Sequence, residues 1–485
     1  MERADPQSAV SGPPRLKLRY ADLPGPKGVP FFGNAFQLDK DRLHQQLEGW
    51  AREFGPSFRV RIANRRMLIL SDHKVVASVL RDRPERFRRP TRHGQIVKEM
   101  GFEDGLFFAN DETWKRQRRM VMAALDPRHV KAYFKSLVTV VTRLEGRWKK
   151  AATGGAEIDL QSDLMRYTVD AIAGLAFGSD VNTLETEDAI QQHLNRIFPA
   201  IARRVTAAVP YWRYVKLPAD RQLERSVKEV KAAIERFIAE ARTRLADDPE
   251  RRKDPKNLLE AMIVAADQEG SEGRNGDIAG NVFMMLVAGE DTTANTLAWM
   301  LELLYLNPEA LQRAQAEVRQ VVPPGADDLT MEALDELVYV EACINETMRL
   351  KPVATFLPSQ AIRDTVIDGI EVPADTLVLG LLRPDATDSR YFPEPMRFDP
   401  DRWLEKTAGT ADAKSTTRVS MPFGAGSRLC PGRYLALLEM KMAIAMLLRR
   451  FSIDRVGTAN GKPTRELFAF AMGPVGLRME LSESA

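Results

Sequence analysis

Cys430 closes the loop Phe423-Gly424-Ala425-Gly426-Ser427-Arg428-Leu429-Cys430-Pro431-Gly432, which runs into a long helical stretch. Glycines at 424, 426 and 432 permit a tight loop that brings backbone close to a partner. A cysteine at such a loop-to-helix junction meets the positive end of the helix dipole, which favours thiolate. Thiolate is the form that ligates a metal such as iron. The plainer fate of a free cysteine is a small buried core residue. Arg428, two residues earlier, and the glycines at both ends argue against it here.

A second group lies in Asp277 to Leu306, a proline-free stretch whose about 30 residues at 1.5 Å each span roughly 45 Å as a helix. Its middle, Asn281 to Met300, is apolar nearly all round, so it is expected to cross the core. Glu290-Asp291-Thr292-Thr293 interrupts that run directly after Ala288-Gly289. Polar side chains in a buried helix are costly unless satisfied or used. Two readings stand: a solvated bend at the glycine, or a local opening for a small ligand with an acid and an alcohol beside it.

The rest of the chain must position these groups. Its 485 residues, 44% hydrophobic and 28% charged, can bury a core with room for a cofactor. Lys plus Arg exceeds Asp plus Glu by 70 − 67 = 3, so no strong field draws the chain to nucleic acid. Two cysteines, Cys343 and Cys430, exclude a disulfide framework and cysteine-rich zinc modules. All five histidines lie at or before His193, so any chemistry of the C-terminal half proceeds without histidine. No segment approaches the roughly 18 to 20 apolar residues of a membrane span, and the N-terminus lacks a signal-peptide core. A soluble, cytoplasmic, monomeric protein without a membrane anchor is expected. The pattern predicts a helix over Asp41 to Phe54, strands over Ser57 to Ile62 and Arg66 to Ser71, and mostly helix from about 112 to 350. Short β-like pieces such as Thr376 to Leu379 follow, then a last helix from about Cys430 to Phe451. The expected fold is mainly α with a small β-rich part drawn from both ends. Residues 1–28 read as a polar tail and proline-rich lead-in, and 29–485 as a single unit.

Taken in order, these motifs resemble those of the cytochrome P450 family. Phe423, Gly426, Arg428, Cys430 and Gly432 match F-x-x-G-x-R-x-C-x-G, and Ala288, Gly289, Asp291 and Thr292 match A-G-x-D/E-T. Glu346 and Arg349 match E-x-x-R, Phe398 to Trp403 match the segment F-x-P-x-R-F/W, and Trp114 and Arg118 match W-x-x-x-R. Leu23-Pro24-Gly25-Pro26 is similar to the family's proline-rich lead-in. The resemblance implies a helical prism around a buried haem b, with Cys430 as axial thiolate and a long central oxygen-binding helix. Thiolate pushes electron density onto iron and favours O–O cleavage. Pro431 has no N–H, so hydrogen bonds to the sulfur are expected from Gly432 and its neighbours. Arg428, Trp114 and Arg118 would bind haem propionates. Glu346, Arg349 and Arg402 would form a buried ion network holding the cysteine loop. Asp291 and Thr292 would deliver the two protons that oxygen activation requires. Two departures stand out: Ser359 occupies a position where many relatives carry a propionate-binding arginine, and Leu382-Arg383-Pro384-Asp385 replaces an H-R-D segment.

The resemblance implies a monooxygenase that inserts one atom of O2 into a hydrophobic small molecule of lipid, terpenoid, steroid or aromatic class. Asn281, Met284 or Met285, Val353, Phe356, Leu357, Phe468 and Phe470 are expected around its pocket, or else serve as ordinary core. NAD(P)H-derived electrons would come through a ferredoxin or flavodoxin-like donor with its reductase, because no flavin- or nicotinamide-binding part follows. Lys115, Arg116 and Arg119 form either a solvated basic face or a docking site for that donor. Arg81 to Arg92 reads as a solvated charged loop, or as one whose Arg88, Arg89 or Arg92 anchors a substrate carboxylate. Alternatives are a peroxide-using peroxygenase, which the Asp291-Thr292 pair disfavours, a haem-based sensor, and a haem-free helical interaction protein.

Overall fold

The computed structural model describes residues 18–178, 180–186, 189–207, 209–268, 275–322, 329–404 and 413–484. The mainly helical body contains α1 (Leu43–Phe54), α2 (His73–Arg81), α3 (Thr91–Glu99), α4 (Asp111–Ala124), α5 (Pro127–Gly154), α6 (Leu160–Ile172), α7 (Ala189–Thr206) and α8 (Pro218–Asp247). It continues through α9 (Leu258–Gln268), α10 (Asn275–Leu306), α11 (Pro308–Val321), α12 (Val338–Leu350) and α13 (Arg433–Arg450).

The β-rich part does draw on both ends of the chain. Its main sheet combines β1 (Ser57–Ile62), β2 (Arg65–Leu70), β3 (Phe87–Arg88), β4 (Phe356–Ala361) and β5 (Leu377–Leu381), in the order β1-β2-β5-β4-β3. In β1 the side chains of Phe58, Val60 and Ile62 point inward while Arg59 and Arg61 face solvent, the period-two pattern of a half-covered strand. The β1–β2 turn places Ala63 at φ 52°. β2 runs parallel to β5, with Met67 opposite Leu377, whereas β4 is antiparallel to β5, with Ser359 opposite Val378. Phe87 and Arg88 of β3 pair with Ala361 and Gln360, so the arginine-rich segment before α3 is stitched to the sheet. It is not the free, solvated loop its composition implied.

α10 is continuous from Asn275 to Leu306 and buried over most of its length. It packs on α6 so closely that a Cβ at Gly289 would lie 2.5 Å from Ile172 Cδ1. Asn307 and Pro308 end it, with the proline starting α11, where its missing N–H is harmless. Two expected boundaries move for local reasons. α1 starts at Leu43 because the Asp39 carboxylate accepts from the N–H groups of Asp41 and Arg42, forming a turn there. α13 starts at Arg433, with Gly432 at its N-cap, because Cys430 and Pro431 belong to the loop. Residues 1–17 of the supposed tail lie outside the described residues. Leu18 and Arg19 pair with Ile370 and Glu371, and Tyr20 is buried, so the following segment is docked.

α13 carries a carboxyl in an apolar setting. Glu439 is buried, its Oε1 lacks a hydrogen-bond partner, and burial pushes its pKa up to about 8. An acid raised from about 4.3 in the unfolded chain contributes stability that is full below that value and is lost as pH rises through 8. Glu439→Gln, which keeps the shape without the titration, is expected to unfold at higher temperature than the parent at pH 8. The gain is roughly 1–3 kcal/mol, shrinking towards zero by pH 4. Thermal melts across that range test it.

Candidate functional site

The cysteine loop is shaped by its backbone. Gly424 and Gly426 sit at φ 79° and 74°, and a Cβ at Gly426 would meet the Leu80 carbonyl oxygen at 2.5 Å. Only glycine suits both demands. The Cys430 N–H donates to the Phe423 carbonyl at 3.0 Å and the Leu429 N–H to that of Gly426 at 3.1 Å, while the Ser427 hydroxyl donates to the Arg83 carbonyl at 3.0 Å. The Arg433 guanidinium lies 5.5 Å from the Phe423 ring. Cys430 is solvent-accessible, yet the protein around it desolvates the thiolate enough to raise its pKa. The residue thus keeps solvent exposure while the protein packed around its sulfur disfavours charge there. The helix-end argument for thiolate is therefore corrected: burial outweighs the opposing Gly432 N–H and Arg118 charge. The expected backbone donor, Gly432, is in place.

Four guanidiniums gather behind this loop. Arg428 lies 4.6 Å over the Trp114 ring and donates to the Ala109 carbonyl at 2.8 Å and to Asn110 Oδ1 at 3.1 Å. Arg118 approaches Cys430 and Arg428 closely enough to perturb both and makes no hydrogen bond or ion pair among the described residues. Arg89 lies 4.2 Å over the Phe107 ring with its Nε unpartnered. Arg83 is buried with its Nε likewise free of hydrogen bonds. None of the four is ion-paired among the described residues; Asp111 alone offsets Arg428, from a distance. Burial, reinforced by mutual repulsion, pushes Arg83 down to about 8 and Arg428 to about 9, and burial alone takes Arg89 to about 10. An arginine seldom gives up its proton, so the cluster is best described as positive charge that calls for an anion. His93 joins it as a neutral group: burial and Arg89 push it down to about 4, and its Nδ1 is unpartnered.

Sequence reasoning assigned Arg428, Trp114 and Arg118 to this place but missed Arg83, His93 and Asn110, and left Arg89 as one of several surface alternatives. Asn110 stands at the N-cap of α4, a position where Asn is favoured for its side-chain cap bond. Its side chain makes no cap bond. Its Oδ1 accepts from the Arg89 N–H at 2.9 Å and its Nδ2 donates to the Arg89 carbonyl at 3.1 Å. Arg88 bonds to Asp375, and Arg92 to the carbonyls of Arg204, Val205 and Ala207, so neither is free for a substrate. On α4, Arg116 pairs with Asp277 at 2.7 Å and Lys115 with Glu112 at 2.7 Å, so the supposed free basic face is partly committed.

On α10 the accessible residues form one stripe. Met285, Ala288, Gly289 and Thr292 retain accessibility at helical spacing while Leu286, Val287, Glu290 and Thr293 are buried. The backbone does not open; the helix offers a face. The Thr292 hydroxyl donates to the Ala288 carbonyl at 2.8 Å, leaving its oxygen to accept from outside. Asp291 is partly accessible and unpaired among the described residues, and burial pushes it up to about 6. Glu290 turns inward, both carboxyl oxygens unpartnered, and is held well above the usual carboxylate range by burial. Gly289 also serves the α10–α6 contact, where a Cβ would meet Ile172.

The pocket residues divide. Asn281 is buried, with Oδ1 accepting from the Leu106 N–H and Nδ2 donating to the Asp277 carbonyl, and Met284 packs against Gly105; neither lines an opening. Val353 packs with Trp299, Ala471 and Met472. Phe356 and Phe468 pack as tilted rings 5.0 Å apart against the sheet core, and Leu357 leans on the cluster behind it. Phe470 remains with the site, within 6.2 Å of Phe107 and Phe198, two rings that sequence reasoning missed.

The ion network is in place with a changed target. Glu346 accepts from Arg349 Nε and a terminal nitrogen at 2.7 Å, from Trp403 Nε1 at 3.0 Å and from the Asp399 N–H at 3.0 Å, with Arg402 Nε at 3.4 Å. Arg349 also donates to the carbonyls of Ala386, Pro395 and Arg397. The network fastens the 386–403 segment to α12, and none of these bonds reaches the cysteine loop. Removing one partner of a buried pair costs about 3–5 kcal/mol. Glu346→Ala is therefore expected to leave little soluble folded protein, to be checked by size exclusion and circular dichroism.

Fold and site together define a mainly helical architecture in which one cysteine of a glycine-shaped loop lies beside guanidiniums that have no ion-pair partner among the described residues. The family model for Cytochrome P450 matches residues 23–481, and the chain belongs to that family. It is 28% identical over 464 residues to a bifunctional cytochrome P450/NADPH–P450 reductase of Aspergillus oryzae, covering 90% of this chain and 39% of that protein. The chain thus spans about two fifths of that fused relative. It is 26% identical over 450 residues to cytochrome P450 83A1 of Arabidopsis thaliana, covering 90% and 88% respectively. The crystal structure of the cytochrome P450DA heme domain superposes with a TM-score of 0.82 at 24% identity, over 97% of this chain and 99% of that one, a likeness of fold. The residues present fit the family's haem: the arginines would hold its two carboxylates and Cys430 would supply the thiolate to its iron. No described helix is long and apolar enough to cross a membrane.

Proposed function

We propose that residues 29–485 form one haem-thiolate monooxygenase unit that inserts one atom of O2 into an apolar small molecule, with electrons supplied by a redox partner. The observation that carries this is an accessible cysteine inside the protein beside four guanidiniums without an ion-pair partner. Haem b is the cofactor of this reading, and when bound it supplies the electron-rich centre at which O2 is reduced.

The chain's own part is positioning and proton handling. Arg428, Arg118 and Arg89 hold the cofactor's carboxylates, and the Gly432 N–H faces the Cys430 sulfur. Thr292 Oγ1, its proton committed to Ala288, is left as an acceptor on the accessible stripe, suited to hold a water there. Asp291, poised near 6, loses and regains a proton within the working range. Met285, Phe107 and Phe470 give the stripe an apolar surround suited to a lipid, terpenoid, steroid or aromatic substrate. A ferredoxin or flavodoxin-like donor fits this reading. The reductase-fused relatives make a P450 reductase the second donor to try.

Reduced protein exposed to carbon monoxide is expected to show the strongly red-shifted Soret band of thiolate-ligated haem, and Cys430→Ser to lose it. With a surrogate reductase and a turned-over substrate, Thr292→Ala is expected to keep consuming NADPH while its product yield falls several-fold. Unchanged coupling would remove Thr292 from the relay. Coupled turnover should fall as pH rises through about 6, because Asp291 then loses the proton it delivers. Asp291→Asn should lower the rate roughly hundredfold and flatten that inflection, as read from a pH–rate profile of both proteins.

A further inference from the structure

Arg83 differs from the other guanidiniums in how it is held. Its side chain is 3% exposed. One terminal nitrogen donates to the Pro358 carbonyl at 2.9 Å and to the Ser359 hydroxyl on β4. Its own carbonyl accepts from the Ser427 hydroxyl in the cysteine loop at 3.0 Å. It therefore bridges the loop and the strand while Nε stays without a hydrogen bond and no carboxylate pairs with it among the described residues. Arg89 and Arg428 are its charged neighbours, both cations.

Position 359 is where the family pattern places an arginine and this chain has serine. We infer that Arg83 supplies from the α2–β3 segment the cation that β4 lacks at Ser359, its guanidinium backed by Pro358 and Ser359 and binding one haem propionate. The chemistry is that of a fork: one terminal nitrogen is spent on the strand, leaving other N–H groups to point at a carboxylate. Serine at 359 is the complement, since it is small, accepts a hydrogen bond and adds no second charge. Arg83 and Ser359 form a matched pair, in which an arginine at 359 alone would set two buried cations in contact. The inference rests on the haem reading, and it makes Arg83 a positioning residue for the cofactor and not a participant in proton delivery.

The test is haem transfer from the loaded protein to excess apomyoglobin, with the carbon monoxide band recorded first and thermal unfolding of each haem-free protein as the control. Arg83→Gln is expected to release haem roughly ten- to hundredfold faster, the loss of about one charge-assisted hydrogen bond. Ser359→Arg alone should also release it faster. The double variant R83Q/S359R should return to within about threefold of the parent, a non-additivity that contacting residues show and that a purely structural clamp would not. Should Arg83→Gln fail to fold, Arg83→Lys carries the test, since a point charge without the fork cannot hold strand and carboxylate together. An unchanged release rate in whichever of these folds, or a double variant no better than Arg83→Gln, would overturn the inference. A parent without the thiolate–haem band would instead overturn the haem reading itself.

Discussion

One cysteine sulfur must be held still at the end of a loop while staying reachable from inside the protein, and much of the architecture follows from that. Side chains do little of the holding. Gly426 touches the Leu80 carbonyl because it has no Cβ, the Cys430 N–H bonds back to Phe423, and Ser427 reaches the Arg83 carbonyl. Backbone hydrogen bonds suit the task because they define position without adding charge near a sulfur whose own charge matters. Raising of the thiol by its surroundings is a consequence of this enclosure. Coordination to a metal deprotonates a thiol outright, so the protein need not favour thiolate by itself.

Enclosure sets a second condition, on charge. Arg83, Arg89, Arg118 and Arg428 approach one another where like charges repel and water is scarce. A carboxylate among them would give ordinary ion pairs and a stable protein with no need of a cofactor. With none among the described residues, a bound dianion would relieve repulsion already present in the fold. The two carboxyls on α10 follow a related logic. Glu290 is turned into protein and kept neutral, whereas Asp291 is partly open and sits near 6. Adjacent acids on one helix thus separate into a buried neutral group and a titrating one by orientation alone.

Much of the fold could be read from the chain. The period-two pattern of Phe58, Val60 and Ile62 marked β1, and the all-round apolar run after Asn281 marked a core-crossing helix. Of the motif residues, Glu346, Arg349 and Arg402 meet in one buried network. Other parts of the site were not legible in the chain. Asn110, which the sequence analysis did not single out, braces Arg89 and Arg428. Asn281, Met284 and Val353 share the spacing or neighbourhood of the pocket, yet their side chains were already taken by Leu106, Gly105 and Trp299.

Local pattern therefore determined the elements, the cysteine loop and the order of motifs, because glycine conformations, helix periodicity and strand alternation act within a few residues of themselves. Only tertiary structure decided which of the arginines from 81 to 92 faces outward and which lies inside. Arg88 finds Asp375 and Arg92 finds the carbonyls after α7, while Arg83 meets Ser359 across a sequence separation of 276 residues. A guanidinium looks the same in any sequence. Whether it is a solvated surface charge or part of a binding site depends on its partners, and those are brought to it by the packing of distant segments.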